Sequence, residues 1–123
     1  MKTVNPLVLI VEDQPALAQL YQKAFTEADY DTEVFYEGDK AANWLADGKP
    51  DIVVLDLNLP YVSGKKLLQQ IKADFRLQHT QVLLVSAYVQ AADFVVSQAD
   101  FVLTKPISYL QLHKLAARLR PTV

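Results

Sequence analysis

Five short apolar runs punctuate the chain: Leu7 to Val11, Thr32 to Tyr36, Ile52 to Leu55, Val82 to Val85 and Phe101 to Leu103. Four are rich in Val, Ile and Leu without strict alternation, the pattern of strands buried on both faces of a parallel sheet. Thr32 to Tyr36 mixes Thr, Glu, Val, Phe and Tyr, and reads as a strand nearer an edge. Between the runs the apolar residues switch to helical spacing. Leu17, Leu20, Tyr21, Ala24 and Phe25 share one helix face behind Pro15, which suits a first helical turn. Ala41, Trp44 and Leu45 repeat that spacing after Gly38-Asp39, and Gly48 and Pro50 end the segment. Ser63 is placed to cap a third helix with Leu67, Leu68 and Ile71 facing inward, and Ser108 to cap a last one with Leu112, Leu115, Ala116 and Leu119 on one stripe. A fourth helix within Val89 to Gln98 is the least regular, because its apolar residues follow no single period.

This order, a strand and a helix repeated five times, predicts an α/β fold: a (βα)5 doubly wound, five-stranded parallel sheet covered by helices on both faces. All strand C-termini then share one edge, and ligands of such sheets bind in the crevice where the strand order reverses. The residues that follow the runs carry the chemistry. The first run leads into Glu12-Asp13, the third into Asp56 and Leu57-Asn58-Leu59-Pro60, the fourth into Ser86-Ala87, and the fifth into Thr104-Lys105-Pro106. Three carboxylates, a hydroxyl and an ammonium from four strands are thus expected on one rim.

Crowded carboxylates need an offsetting charge. A hard divalent cation prefers oxygen ligands, and Mg²⁺ fits a cluster of Asp13, Asp56 and a backbone carbonyl with Glu12 close by. Lys105 adds positive charge on the other side. A carboxylate between a metal and a lysine is suited to attack phosphorus, since phosphoryl transfer is catalysed by positioning and electrostatics. Ser86 is then available to hydrogen-bond the bound phosphoryl group.

Glu12-Asp13, Asp56 with Pro60 and Gly64 (D-x-x-x-P-x-x-x-G), Ser86-Ala87 and Lys105-Pro106, taken in order, resemble the signature of response-regulator receiver domains, and the resemblance runs from about Leu7 to Leu119. It implies a CheY-like, flavodoxin-like fold with strand order 2-1-3-4-5. It implies Asp56 as phosphoacceptor, Asp13 as a direct metal ligand, Glu12 as the acidic neighbour acting through a metal-bound water, and Asn58 as the donor of a backbone carbonyl to the metal. Ser86 matches the hydroxyl that moves toward the phosphoryl group, Lys105 the phosphate-binding lysine, and Lys105-Pro106 a bond that is often cis. The implied protein is a phosphorelay switch rather than a turnover enzyme; a cytoplasmic location is expected separately, from the lack of a spanning run and of a signal-peptide core. Its implied partners are a sensor histidine kinase or histidine phosphotransfer protein. A homodimer or output partner would use the face made by the fourth helix, fifth strand and last helix.

Two features depart from the pattern. Where the family has an aromatic residue three positions before the lysine, this chain has Val102, with Phe101 one residue earlier. Adjacent strand residues point to opposite faces, so the expectation is a switch that works without that ring. The stretch from Ser86 to Lys105 is also about three residues short, nearly one helical turn, and between Ala87 and Leu103 it holds only the charges Asp93 and Asp100. A short, apolar fourth helix would be either an interface or a truncated element lying flat on the sheet. Tyr88 would border the site or belong to a loop.

Composition narrows the alternatives. The 123 residues fit one domain, with a core from about 7 to 119, and 51% are hydrophobic. A net charge of -2 argues against a general affinity for nucleic acid. His113, Lys114, Arg118 and Arg120 are expected to serve the dipole of the last helix. There is no cysteine, which excludes disulfides and thiolate zinc sites, and no apolar run reaches membrane-spanning length. Met1 to Pro6 lacks the apolar core of a signal peptide. No effector domain follows Val123, which fits a stand-alone receiver or a piece of a longer protein. His79 and His113 are expected at the surface, and Trp44 in the core. Aspartate-based phosphatases need a second acid where this chain has Asn58. Three glycines cannot assemble a dinucleotide fingerprint or a P-loop, and Glu12-Asp13-Gln14-Pro15 would repel a flavin phosphate. The remaining alternative is a degenerate receiver acting as a phosphorylation-independent interaction module.

Overall fold

The computed structural model describes residues 4–59, 63–87 and 96–121. In chain order the elements are β1 (Leu7–Val11), α1 (Pro15–Thr26), β2 (Asp31–Phe35), α2 (Gly38–Leu45), β3 (Ile52–Asp56), α3 (Gly64–Ala73), a 3-10 turn (Phe75–Leu77), β4 (Gln81–Ser86), a second 3-10 turn (Val96–Gln98), β5 (Phe101–Thr104) and α4 (Tyr109–Leu119). The five strands pair in parallel in the order β2-β1-β3-β4-β5. Each begins within one residue of its apolar run.

The missing alternation in the sequence has a simple cause: both sheet faces are covered. Val8, Ile10, Ile52, Val54, Leu83 and Val85 pack with Tyr21, Ala24 and Phe25 of α1 and with Leu112 and Ala116 of α4. Leu9, Val11, Val53, Leu55, Val82 and Leu84 pack with Ala41 and Leu45 of α2 and Leu67, Leu68 and Ile71 of α3. Strand residues therefore alternate between two cores, not between core and water.

The fifth run departs from its expectation. Beside β4 on one side only, β5 is an edge strand and none of its four residues is fully buried. Val102 is 42% exposed, whereas Phe101 packs against the α1–α4 core. The composition matched a buried strand because one face of β5 still meets that core. The expected fourth helix lies largely outside the described residues, as do Pro60 and Tyr88; its last three residues form the second 3-10 turn.

Local signals operate as anticipated. Pro15 occupies the first turn of α1. The Ser63 hydroxyl accepts from the Lys66 amide, and the Ser108 hydroxyl from the Gln111 amide, each satisfying a first-turn donor. Trp44 is half-buried against the α2–α3 core, its ring tilted against Phe35 with centroids 6.4 Å apart. Gly48 makes room for that ring: a Cβ there would lie 2.5 Å from it. His79 is exposed and His113 half-buried, stacked on Tyr109. At the other end of α4, the buried Tyr30 hydroxyl donates to the Ala116 carbonyl at 2.8 Å. That carbonyl is one of the last four of the helix, which lack ordinary helical partners. Tyr30→Phe should therefore cost about 1 kcal/mol, read as a lower midpoint in urea denaturation with an unchanged slope.

Candidate functional site

The parallel register brings the C-termini of β1, β3, β4 and β5 to one rim, and backbone bonds continue past the strand ends. The Glu12 amide donates to Phe35 O, Leu57 N to Val85 O, and Lys105 N to Ser86 O at 2.8 Å. The residues that carry the side chains of interest are thus fixed by the ladder. Asp56 ends β3, Glu12 and Asp13 follow β1, Ser86 ends β4, and Lys105 follows β5. Glu12, Asp56 and Ser86 are buried.

Lys105 bridges two of the acids. Its Nζ lies 2.8 Å from Glu12 Oε1, an ion pair without the alignment of a hydrogen bond, and 3.1 Å from Asp56 Oδ2, to which it donates. The other oxygens of both carboxylates are held by local backbone. The Asn58 amide donates to Asp56 Oδ1 at 2.9 Å, and the Gln14 amide to Glu12 Oε2 at 3.2 Å. The Asn58 side-chain amide donates to Ser86 Oγ at 3.3 Å. Carboxylate oxygens of Glu12, Asp13 and Asp56 lie within 4.8 Å of one another. All six residues singled out in the sequence are therefore brought together. The Lys105-Pro106 peptide bond is cis.

Three carboxylates face one ammonium, and burial together with these neighbouring charges shifts the proton affinities. The Glu12 carboxyl is pushed up to about 7, chiefly by burial, with Asp13 and Asp56 adding to the rise and Lys105 and the Gln14 amide opposing it. For Lys105, burial disfavours the charge, but its contacts with Glu12 and Asp56 outweigh this and hold the ammonium above its ordinary value. An all-oxygen donor set with uncompensated negative charge fits a hard divalent cation.

Two features were not legible from residue types. Asn58 entered for its backbone carbonyl, yet its side chain ties the end of β3 to Ser86; only the spatial neighbourhood of β3 and β4 reveals this. Gly64 entered as a motif position without a physical reason. A Cβ there would collide with the Asp56 carbonyl oxygen and Leu57 Cα, and Gly64 N donates to Leu57 O at 3.3 Å. The start of α3 presses on the backbone that carries Asp56.

The family model for the response regulator receiver domain matches residues 8–117. The chain is 33% identical over 118 residues to the DNA-binding dual master transcriptional regulator RpaA of Synechocystis, covering 94% of this chain and 48% of that protein. It is 36% identical over 116 residues to the transcriptional regulatory protein TrcR of Mycobacterium tuberculosis, covering 92% and 43%. Among solved structures, the receiver domain of the Francisella response regulator 1452 superposes with a TM-score of 0.80 at 28% identity, covering 94% of this chain and 96% of that one. The fold and rim define a CheY-like α/β domain of the doubly wound class. The chain belongs to the response regulator receiver domain family of two-component signal transduction. It spans about half the length of the curated relatives it matches. Among the described residues no helix is long and apolar enough to cross a membrane.

Gly64→Ala should lower stability by about 1–3 kcal/mol, because backbone rather than a flexible side chain blocks the added methyl; thermal denaturation reads this. Proton affinity at Glu12 predicts pH effects of definite sign. In cation-free buffer the native carboxyl holds a proton that the unfolded chain releases near its ordinary 4.5, so this group's stabilising contribution falls as pH rises from about 4.5 through 7. Cations compete with the same proton, so Mg²⁺ affinity should rise about tenfold between about pH 6 and pH 8, measured by isothermal titration.

Proposed function

We propose that Asp56 is the phosphoacceptor of a two-component or phosphorelay switch, taking its phosphoryl group from a phosphohistidine on a sensor histidine kinase or phosphotransfer protein in a Mg²⁺-dependent reaction. The carrying observation is the clamp on Asp56: one oxygen on the Asn58 amide, the other on Lys105, with the Glu12 and Asp13 oxygens alongside. Asp13, Asp56 and the Asn58 carbonyl would hold the cation, with Glu12 next to it. Bound there, it neutralises charge on the transferred oxygens.

The chain's own residues do the rest. An Asp56 carboxylate oxygen attacks phosphorus, the phosphorus–nitrogen bond of the donor breaks, and the imidazole leaves with the bonding pair and takes up a proton. Lys105 loses one of its two carboxylate charges to the new acyl phosphate and turns its ammonium to the phosphoryl oxygens. Ser86, adjacent through Asn58, offers its hydroxyl to the same group. Hydrolysis by water later returns Asp56 to the carboxylate, so the chemistry resets a switch and does not turn over an external substrate.

Val102 changes how the switch is read. Phe101 packs into the α1–α4 core on the opposite face of β5, so it cannot replace an aromatic ring at position 102. Rearrangement therefore reaches the surface without a ring moving inward. Val102 and Leu110, exposed at 42% and 58%, lie on β5 and α4 and form part of the face we assign to an output partner or second copy. The net charge of -2 favours a protein partner over nucleic acid for this segment.

Incubation with acetyl phosphate and Mg²⁺ should add the mass of one phosphoryl group. Asp56→Asn or chelation of the cation should remove the gain, and Lys105→Ala should slow it by about a hundredfold. Intact mass spectrometry reads all three; a wild-type protein that stays unmodified would instead support a passive interaction module.

A further inference from the structure

Asn58 makes two contacts of different kinds at the rim. Its backbone amide donates to Asp56 Oδ1 at 2.9 Å, and its side-chain amide donates to Ser86 Oγ at 3.3 Å. The first would survive any substitution except proline, which lacks the N–H. The second belongs to the asparagine side chain alone. Ser86 is fully buried at the end of β4, beside the end of β3, where Asp56 pairs with Val85. The side-chain bond therefore ties the loop that follows the phosphoacceptor strand to the hydroxyl on the neighbouring strand.

That bond is long. At 3.3 Å it stands just beyond the usual range for N–H···O, and a hydroxyl that moves away by about 0.5 Å leaves hydrogen-bond reach. A phosphoryl group on Asp56 offers Ser86 a different partner. Hydrogen bonds to charged oxygens are roughly twice as strong as those between neutral groups. The hydroxyl thus has a reason to leave Asn58 once Asp56 is modified, and a contact to give up when it does.

We propose that the Asn58 side chain is a detent on Ser86: it holds the hydroxyl in the arrangement of the unmodified rim and opposes its transfer to a phosphoryl group on Asp56. Asn58 is then a positioning residue that acts through Ser86 and sets how readily the rim passes to the phosphorylated arrangement. This rests on the phosphoacceptor reading and adds regulation of that same site. Asn58→Ala removes the detent while keeping the backbone amide on Asp56 and the backbone carbonyl.

Beryllofluoride stands in for the phosphoryl group and binds reversibly, so its affinity for the whole chain at saturating Mg²⁺ reads this equilibrium, followed by fluorine NMR. Asn58→Ala should bind it about fivefold more tightly than wild type, the equivalent of one net hydrogen bond. In a Ser86→Ala background, where there is no hydroxyl to hold, adding Asn58→Ala should change nothing. Urea denaturation of the same proteins, without cation or beryllofluoride, should show the two positions coupled by about fivefold in the folding equilibrium. Unchanged or weaker beryllofluoride binding in Asn58→Ala would overturn the proposal, and so would an equal gain in the Ser86→Ala background or an absence of coupling in urea. A wild-type chain that binds no beryllofluoride loses the phosphoacceptor reading and the detent with it. Binding by wild type that Asn58→Ala leaves unaltered removes the detent alone.

Discussion

The structure is organised around an electrostatic conflict at one rim: two buried carboxylates and a third beside them, with a single ammonium between. Glu12 and Asp56 are anchored on different strands, and Lys105 reaches both from a third. Taking such charges out of water is unfavourable unless partners and hydrogen bonds offset it. Lys105 and the Asn58 and Gln14 amides offset part of it. The remainder shows at Glu12, whose carboxyl is pushed up to about 7 chiefly by burial, with Asp13 and Asp56 adding to the rise. A rim that is unfavourable for folding is thereby one whose oxygen donors fit a hard divalent cation.

The cost is carried by the rest of the fold. β3, which bears Asp56, is buried over its whole length, with a core on each face. Side chains locked between two layers of helices do not shift to relieve the carboxylates. Close approach of α3 at Gly64 fixes the backbone immediately after Asp56, and the Lys105 amide bond to Ser86 fixes the far side of the rim. The site is precise because the elements carrying it cannot slide.

Less constraint acts at the β5 edge. Val102 stands exposed where the family places an aromatic ring, and Phe101 is committed to the other face. The backbone of β5 nonetheless stays tied to the rim, because the Lys105 amide donates to Ser86 O at 2.8 Å.

The class of fold and the identity of the rim residues were legible in the sequence because both are local in kind. Strand runs, helix stripes, the Ser63 and Ser108 caps and Pro15 report backbone preferences within a few residues, and polar residues directly after apolar runs mark strand ends. What the linear pattern could not decide is everything set by pairs distant along the chain. The edge character of β5 depends on having a neighbour on one side only. The Asn58–Ser86 bond depends on β3 lying beside β4. Gly64 matters through a collision with Asp56 backbone, and the raised proton affinity of Glu12 comes from burial and from charges on other strands. Residue types determined which groups were available; three-dimensional packing decided their distances and their solvent, and electrostatic energy depends on those two.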